Sequence, residues 1–182
     1  KFLFNILDSK EFEISSISSF LNAKQSKLET DKVNLYKSTW ASSMLDIEKG
    51  IQFLSWKDPE NKIHDYQWEL FDLVLSELNN YSKKEENILE AREKMDAAIA
   101  SDHFWWASAK PWWSLEMIED GAFRLLDVID SIPNVPKDRL QKAHTLYEKI
   151  VSTAFEWQRT GKIREMNKKQ NEILRIPFKT RT

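Results

Sequence analysis

Glycine and proline are scarce in this chain, and their scarcity limits the folds it can adopt more than any other feature. Only three glycines and five prolines occur among its 182 residues. Sheet-rich folds need many tight turns, and such turns depend heavily on these two residue types. We therefore predict a mainly α-helical fold, in which long helices are joined by a few defined breaks.

Apolar residues recur at helical spacing in four segments, which predict helices over 66–80, 85–107, 115–132 and 137–158. Pro136 precedes the last segment and Gly161 follows it, at positions where these residues commonly begin and end helices. Ser114 precedes the third segment as a candidate N-cap residue. Together the segments predict a helical bundle of about four to five helices over residues 23–182.

The first 22 residues depart from the bundle pattern. Residues 2–7 resemble the last turns of a helix, and residues 12–15 resemble a short strand. Ser16 or Ser18 is a candidate cap for a helix that carries Phe20 and Leu21. Because a single short strand cannot complete a sheet, we expect residues 1–22 to be a terminal αβ fragment of an upstream domain. The polar residues 22–31 would form the crossing into the helical part.

Charge and cysteine content exclude several classes of partner. The formal net charge is −2, and the chain contains no cysteine, so a disulfide framework and thiolate metal sites are excluded. The three histidines, His64, His103 and His144, are scattered, and we predict no metal and no cofactor. Basic residues are in excess over 162–181, but aromatics are not interleaved with them in the way that a single-strand binder would use, so we predict no nucleic-acid partner. No apolar run reaches the length of about 18–20 residues that spans a membrane, and we predict no membrane partner and a cytoplasmic location.

The segment from residue 101 to residue 113 contains four of the eight tryptophans together with Asp102, His103 and Lys110. Tryptophan offers a wide, rigid apolar face, and neighbouring polar groups can hydrogen-bond the rim of a ring stacked on it. The helical stripe of Ile88, Met95 and Ile99, if continued, places Asp102 and His103 near the buried face. Each then needs a hydrogen-bond partner or lines a wet cleft, and a core histidine is the alternative interpretation of His103. Trp105, Trp106, Trp112 and Trp113 are interpreted as a ligand-facing wall.

Other aromatic and acidic residues have structural interpretations. We expect Trp68 and Trp157 to pack in the bundle core, and Trp56, beside Asp58-Pro59, to anchor a turn. Glu116 and Glu119 share a helix face and could form a carboxylate pair. Acidic residues in a first helical turn also complement the helix dipole, and the candidate cap at Ser114 favours that structural interpretation.

Three segments in the same order resemble glycoside hydrolase family 57. They are the strand and cap of residues 12–21; Ser38-Thr39-Trp40 with residues 56–60 and Trp68; and Ser101-Asp102-His103-Phe104 with the two following aromatics and Lys110. The resemblance spans residues 2–132, and its most specific element is the last of these runs. It implies that the chain comprises the end of a distorted (β/α) barrel and the helical domain that closes over the sugar site.

The resemblance implies that Asp102 and His103 face sugar subsites, that Trp105, Trp106 or the Trp112-Trp113 pair stack on sugar rings, and that Trp40 enters from the loop between barrel and bundle. The family's catalytic glutamate and aspartate lie on barrel strands with no counterpart here. We therefore expect no catalytic residue in this chain, which alone would be inactive. The implied partners are an oligosaccharide or polysaccharide of the α-glucan type and an upstream or separate barrel domain.

A hypothesis of a different class is a helical interaction domain that docks another protein through exposed tryptophans. The polarity around the aromatic residues discriminates between the two. A sugar cleft requires Asp102, His103 and Lys110 to converge beside the rings. A docking face requires an apolar centre with these groups at its rim.

Overall fold

A computed structural model of the chain describes residues 15–24, 35, 37–40, 42, 44–80, 88–110 and 112–174. The chain divides into two compact units, Lys1–Tyr36 and Lys37–Thr182. The described residues form eight helices and no strand, so the prediction of a mainly α fold is confirmed. The predicted helix end at 2–7 and residues 12–14 of the predicted strand lie outside the described residues.

In the first unit, the described secondary structure is helix α1, Ile17–Lys24. Ser16 begins it, because its Oγ accepts a hydrogen bond from the backbone N–H of Ser19 at 3.1 Å and its carbonyl accepts from the N–H of Phe20 at 2.9 Å. Of the two candidate caps in the sequence, Ser16 and Ser18, it is therefore Ser16 that caps α1. The helix includes the first three residues of the segment 22–31 that was predicted to be a crossing.

The second unit is a bundle built around three long helices that pack against one another. Each buries an apolar stripe in a common core, where Leu70, Leu125 and Ile150 are fully buried. In chain order its described helices are α2 Met44–Glu48, α3 Lys62–Asn79, α4 Leu89–Ala98, α5 Asp102–Trp106, α6 Leu115–Asp130, α7 Lys137–Thr160 and α8 Lys162–Leu174. Helices α3, α6 and α7 form the centre, α4 and α5 pack on α6, and α8 packs on α7.

The ends of the long helices follow local sequence signals. The Oγ of Ser114 accepts a hydrogen bond from the N–H of Met117 at 3.3 Å, so the predicted cap of α6 is confirmed. Pro136 directly precedes α7, and Gly161 ends it with φ of +82°, a left-handed conformation that glycine adopts at little cost. Asn61 caps α3 through its Oδ1, while its Nδ2 donates to the carbonyl of Ala107 at 2.8 Å. The start of α3 is thereby joined to the end of α5.

The single helix predicted over 85–107 is wrong, because the chain breaks between α4 and α5. Ile99 caps α4 through its N–H, which donates to the carbonyl of Met95 at 2.9 Å, and the Ile99 side chain is 55% exposed. The carbonyl of Ser101 then accepts from the N–H of Phe104 at 3.2 Å and starts a new helical turn. The stripe through Ile99 therefore does not continue, and Asp102, predicted near the buried face, is exposed.

Candidate functional site

Five tryptophans from three parts of the second unit have their rings in contact, and we call them the tryptophan cluster. Trp105 on α5 is central: its ring centroid lies 4.5 Å from that of Trp112, 5.0 Å from that of Trp106 and 5.9 Å from that of Trp40. Trp56 meets Trp40 edge to face at 6.1 Å. Aromatic pairs favour such centroid distances and tilted or edge-to-face geometries.

The tryptophan cluster packs against the hydrophobic core on one side and is exposed to solvent on the other. Trp106 packs against the hydrophobic core and Trp105 is half-buried. Trp40 is 77% exposed and Trp112 is 42% exposed. Exposed indoles held by ring contacts to half-buried neighbours lose little conformational entropy when a ligand stacks on them. The cluster is therefore a preformed aromatic surface.

The loop between α5 and α6 holds Trp112 in place. The N–H of Ala109 donates to the carbonyl of Trp112 at 2.8 Å, and the N–H of Ser114 donates to the carbonyl of Trp106 at 3.2 Å. Ala109 is buried and has φ of +53°, in the left-handed region that costs a non-glycine residue about 1–2 kcal/mol. The loop holds this strained residue at the point where the chain turns back to present Trp112.

A buried polar network joins the Trp56 turn to this loop and to α5. The Nζ of Lys110 lies 2.5 Å from Oδ2 of Asp58, whose side chain is 2% exposed. The N–H of Asp58 donates to Nδ1 of His64 at 3.1 Å, and Nε2 of His64 lies 2.9 Å from the carbonyl of Phe104, to which it donates. Burial lowers the pKa of His64 to about 4, so the neutral ring is the form that bridges the two backbone groups.

His103 points into the bundle. Nε2 of Gln67 donates both to Nδ1 of His103 at 3.1 Å and to the His103 carbonyl at 3.0 Å. The imidazole is 4% exposed and packs on Gly121 of α6, and burial lowers its pKa to about 4. Its Nε2 has no hydrogen-bond partner among the described residues. His103 is thus a core histidine, the alternative that the sequence left open, and it does not lie beside the exposed rings.

Asp102 and Lys110 are the other predicted polar residues, and both are close in sequence to members of the tryptophan cluster. Asp102 is exposed and precedes Trp105 and Trp106 by three and four positions, a spacing that places all three on one side of α5. Lys110, in the loop between Trp106 and Trp112, has a side chain that is 20% exposed. These two residues supply one carboxylate and one ammonium group close in sequence to the exposed rings.

Trp113 lies apart from the tryptophan cluster. Its ring stacks against that of Trp157 with a centroid distance of 6.3 Å, and its Nε1–H donates to Oε1 of Gln158 at 3.1 Å. Trp157 is 4% exposed, so the core placement predicted for it is confirmed. Trp113 therefore joins the start of α6 to α7, and the structure does not bring it to the surface that Trp112 occupies.

Trp56 is the member of the tryptophan cluster that sequence reasoning missed. Its place in a turn is confirmed, and its carbonyl accepts the Nε1–H of Trp68 at 2.8 Å. Trp68 is half-buried and stacks on Phe104 with centroids 4.5 Å apart. The sequence shows the turn beside Asp58, but no local signal places its indole against Trp40.

The acidic residues at the start of α6 are already engaged. Oε1 of Glu119 accepts the hydroxyl of Tyr147 at 2.6 Å, and this hydrogen bond raises the pKa of Tyr147 to about 12. Glu116 is exposed in the first turn, where a carboxylate complements the helix dipole. Within the described ranges, no three histidine or acidic residues gather as a metal site would require. None of the helices in the described part of the chain is long and apolar enough to cross a bilayer.

The chemistry available at the tryptophan cluster is that of binding. Its open indoles can stack on the flat apolar face of a ring, and the nearby carboxylate and ammonium groups can hydrogen-bond hydroxyls. Comparisons of the chain with protein-family models, with curated proteins and with solved structures find no match.

Proposed function

We propose that the tryptophan cluster is a glycan-binding surface. On this proposal the chain is the helical part of a carbohydrate-active protein whose substrate is α-glucan-like. The observation that carries it is the open face of the cluster, where Trp40 and Trp112 flank Trp105 at centroid distances of 5.9 and 4.5 Å. Sugar rings have apolar faces and hydroxyl rims, which suit exposed indoles bordered by a few polar groups.

The polar groups beside the rings support a sugar more than an apolar ligand. Asp102 is exposed on the side of α5 that carries Trp105 and Trp106, where its carboxylate can accept hydrogen bonds from hydroxyls. The Lys110 ammonium, paired with Asp58 at 2.5 Å, keeps donors for a second acceptor. A sugar stacked on Trp105 or Trp112 would find both kinds of partner at its rim.

The role of this chain would be to position the glycan, while the bond-breaking groups lie on the barrel that the family 57 resemblance implies. Retaining glycosidases need two carboxyl groups about 5–5.5 Å apart across the scissile bond. Glu119 is hydrogen-bonded to Tyr147, and Glu116 lies in the first turn of α6. We therefore propose that the chain alone binds glycan and does not hydrolyse or transfer it.

One observation favours a second candidate function, the docking of a protein through the tryptophan cluster. His103 is buried, so one of the three polar groups expected beside a sugar is withdrawn from the surface. An aromatic centre with Asp102 and Lys110 at its edge also fits a protein interface. A titration of the chain with a glycan distinguishes the two candidate functions.

The experiment is a titration of intrinsic tryptophan fluorescence with maltooligosaccharides. We expect saturable quenching in the parent chain and at least about tenfold weaker binding in Trp40→Ala and in Trp112→Ala, since each removes an exposed stacking face. Trp113→Phe is the matched control, because it changes a tryptophan outside the cluster and keeps an aromatic ring on Trp157. The absence of a saturable response at millimolar sugar, from a chain with native circular dichroism, would overturn the glycan proposal in favour of protein docking.

A further inference from the structure

Helix α7 carries an exposed stripe on the side that faces away from the bundle core. Glu148, Ser152, Phe155 and Arg159 follow one another at spacings of four, three and four residues, which place them on one face. All four are exposed, and Phe155 is 61% exposed although it is a large apolar side chain. A phenylalanine in such a position gains the free energy of burial only when a partner covers it.

Shallow grooves adjoin this stripe and extend its apolar surface. One, with a volume of about 570 Å³, is lined by Tyr147, Val151 and Phe155 together with Glu148, Ser152, Glu156 and Arg159. A second, of about 260 Å³, lies where α6 meets α7 and shares Val151 and Phe155. Phe123 of α6, 51% exposed, meets the ring of Tyr147 at 6.4 Å. The apolar surface is therefore continuous across both helices and centred on Phe155.

The order of charges along the stripe indicates what covers it. Consider a second α7 laid antiparallel on the first, with a two-fold axis passing between residues 153 and 154. The axis pairs residues that lie at equal distances on either side of it. Glu148 therefore lies opposite Arg159 of the second copy, and Ser152 lies opposite Phe155 of the second copy. Two Glu–Arg pairs then flank two contacts in which a phenyl ring covers a small serine.

The same stripe disfavours the parallel arrangement. Parallel pairing places Glu148 opposite Glu148 of the second copy and Arg159 opposite Arg159 of the second copy. Like charges then meet at both ends. The antiparallel arrangement converts both repulsions into attractions. Glu148 and Arg159 are separated by about 16 Å along the helix at 1.5 Å per residue. The charged pairs therefore stand at the two ends of the apolar contact.

We propose that two copies of this chain pair through α7, with the helices antiparallel about a two-fold axis near residues 153 and 154. The dimer contact comprises Glu148, Ser152, Phe155 and Arg159 from each copy, and the adjoining grooves receive the Phe155 ring of the other copy. This interface lies on α7 and the adjoining surface of α6, and it does not depend on what the tryptophan cluster binds.

The test is sedimentation equilibrium of the whole chain over a range of concentrations. We expect a monomer–dimer equilibrium that Glu148→Arg and Arg159→Glu each weaken by at least about tenfold, because either change creates two like-charge contacts. The double variant Glu148→Arg/Arg159→Glu restores opposite charges at both contacts and is expected to recover dimerisation. Phe155→Ser removes the central apolar contact and is expected to give a monomer.

Lys137→Glu is the matched control, since it reverses an exposed charge at the start of α7, away from the stripe. It should leave the dimer unchanged. A parent chain that stays monomeric at every concentration overturns the proposal and leaves the surface for a different protein. A dimer that survives both single charge reversals also overturns it, because the copies then meet elsewhere. Circular dichroism of each variant establishes that it is folded.

Discussion

The Nζ of Lys110 lies 2.5 Å from Oδ2 of Asp58, and this ion pair joins positions that are 52 residues apart in the chain. Asp58 follows the turn that carries Trp56, and Lys110 belongs to the loop that leads to Trp112. The Asp58 side chain is 2% exposed and also accepts the N–H of Glu60 at 2.9 Å. A pair this well shielded from solvent fixes the relative position of two segments that supply the tryptophan cluster.

Replacing Lys110 by methionine should destabilise the fold and loosen the tryptophan cluster. The substitution keeps a long side chain but leaves the Asp58 carboxylate buried without its counter-charge. Such a loss costs about 3–5 kcal/mol in a fully buried pair, and we expect a smaller cost here because the Lys110 side chain is 20% exposed. Asp58→Asn/Lys110→Met removes both charges and should cost less than Lys110→Met alone. Urea unfolding of the two variants measures the difference. A Lys110→Met variant that is as stable as the parent would contradict a structural role for the ion pair.

Gly121→Ala should destabilise the junction of α5 and α6. A Cβ at position 121 would lie 2.2 Å from Cβ of His103, closer than non-bonded carbons can approach. Either His103 or α6 must move, and overpacking of this kind costs about 1–3 kcal/mol. A thermal melt should show a lower midpoint than the parent. Phe123→Ala, an exposed change two positions along α6, is the control and should shift the midpoint much less.

The long helices could be predicted because their apolar periodicity is strong and uninterrupted. The predicted ranges 115–132 and 137–158 end within two residues of α6 and α7. The break between α4 and α5 could not be predicted, since the spacing of Ile88, Met95 and Ile99 is helical and no glycine or proline interrupts residues 85–107. Contacts distant in sequence accompany the break: Phe104 stacks on Trp68 and His103 packs on Gly121.

The candidate site could be predicted in part for a related reason. Trp105, Trp106 and Trp112 are close in sequence, so their density alone indicates an aromatic surface. His103 and Trp113 are equally close, yet they face the core and α7 instead. A helix as short as α5 has no periodicity that shows which of its residues point inward. That choice is made by Gln67 and Gly121, which no local pattern connects with the segment.

The left-handed backbone at Ala109 predicts effects of different size for two substitutions. Ala109→Gly relieves the strain of φ at +53° but adds freedom to the unfolded chain, so the free energy of unfolding should change by less than about 1 kcal/mol. Ala109→Val places a β-branched side chain in a strained, buried position and should cost more than about 2 kcal/mol. Urea unfolding measures both. A valine variant as stable as the glycine variant would contradict the conformation assigned to this loop.

His64 and His103 make stability depend on pH in the acid range. Burial lowers the pKa of each from 6.5 to about 4, so the unfolded chain binds protons at a higher pH than the folded chain does. Where the unfolded state holds more protons, stability rises with pH. The contribution of these groups is therefore fully present above pH 6.5 and is lost as pH falls from 6.5 towards 4. The slope is about 1.4 kcal/mol per pH unit for each histidine between the two pKa values.

Removing one of these histidines should flatten the acid dependence. Between pH 7 and pH 5 each neutral buried imidazole accounts for about 2 kcal/mol of lost stability, so His64→Gln should lose about 2 kcal/mol less than the parent over that interval. Glutamine can still accept from the Asp58 N–H or donate to the Phe104 carbonyl, which keeps the variant foldable. Urea unfolding at the two pH values provides the measurement, and His144→Gln, which replaces an exposed histidine, is the control. Equal losses in His64→Gln and the parent would show that His64 is not the buried neutral group that the structure places on α3, against the carbonyl of Phe104 on α5.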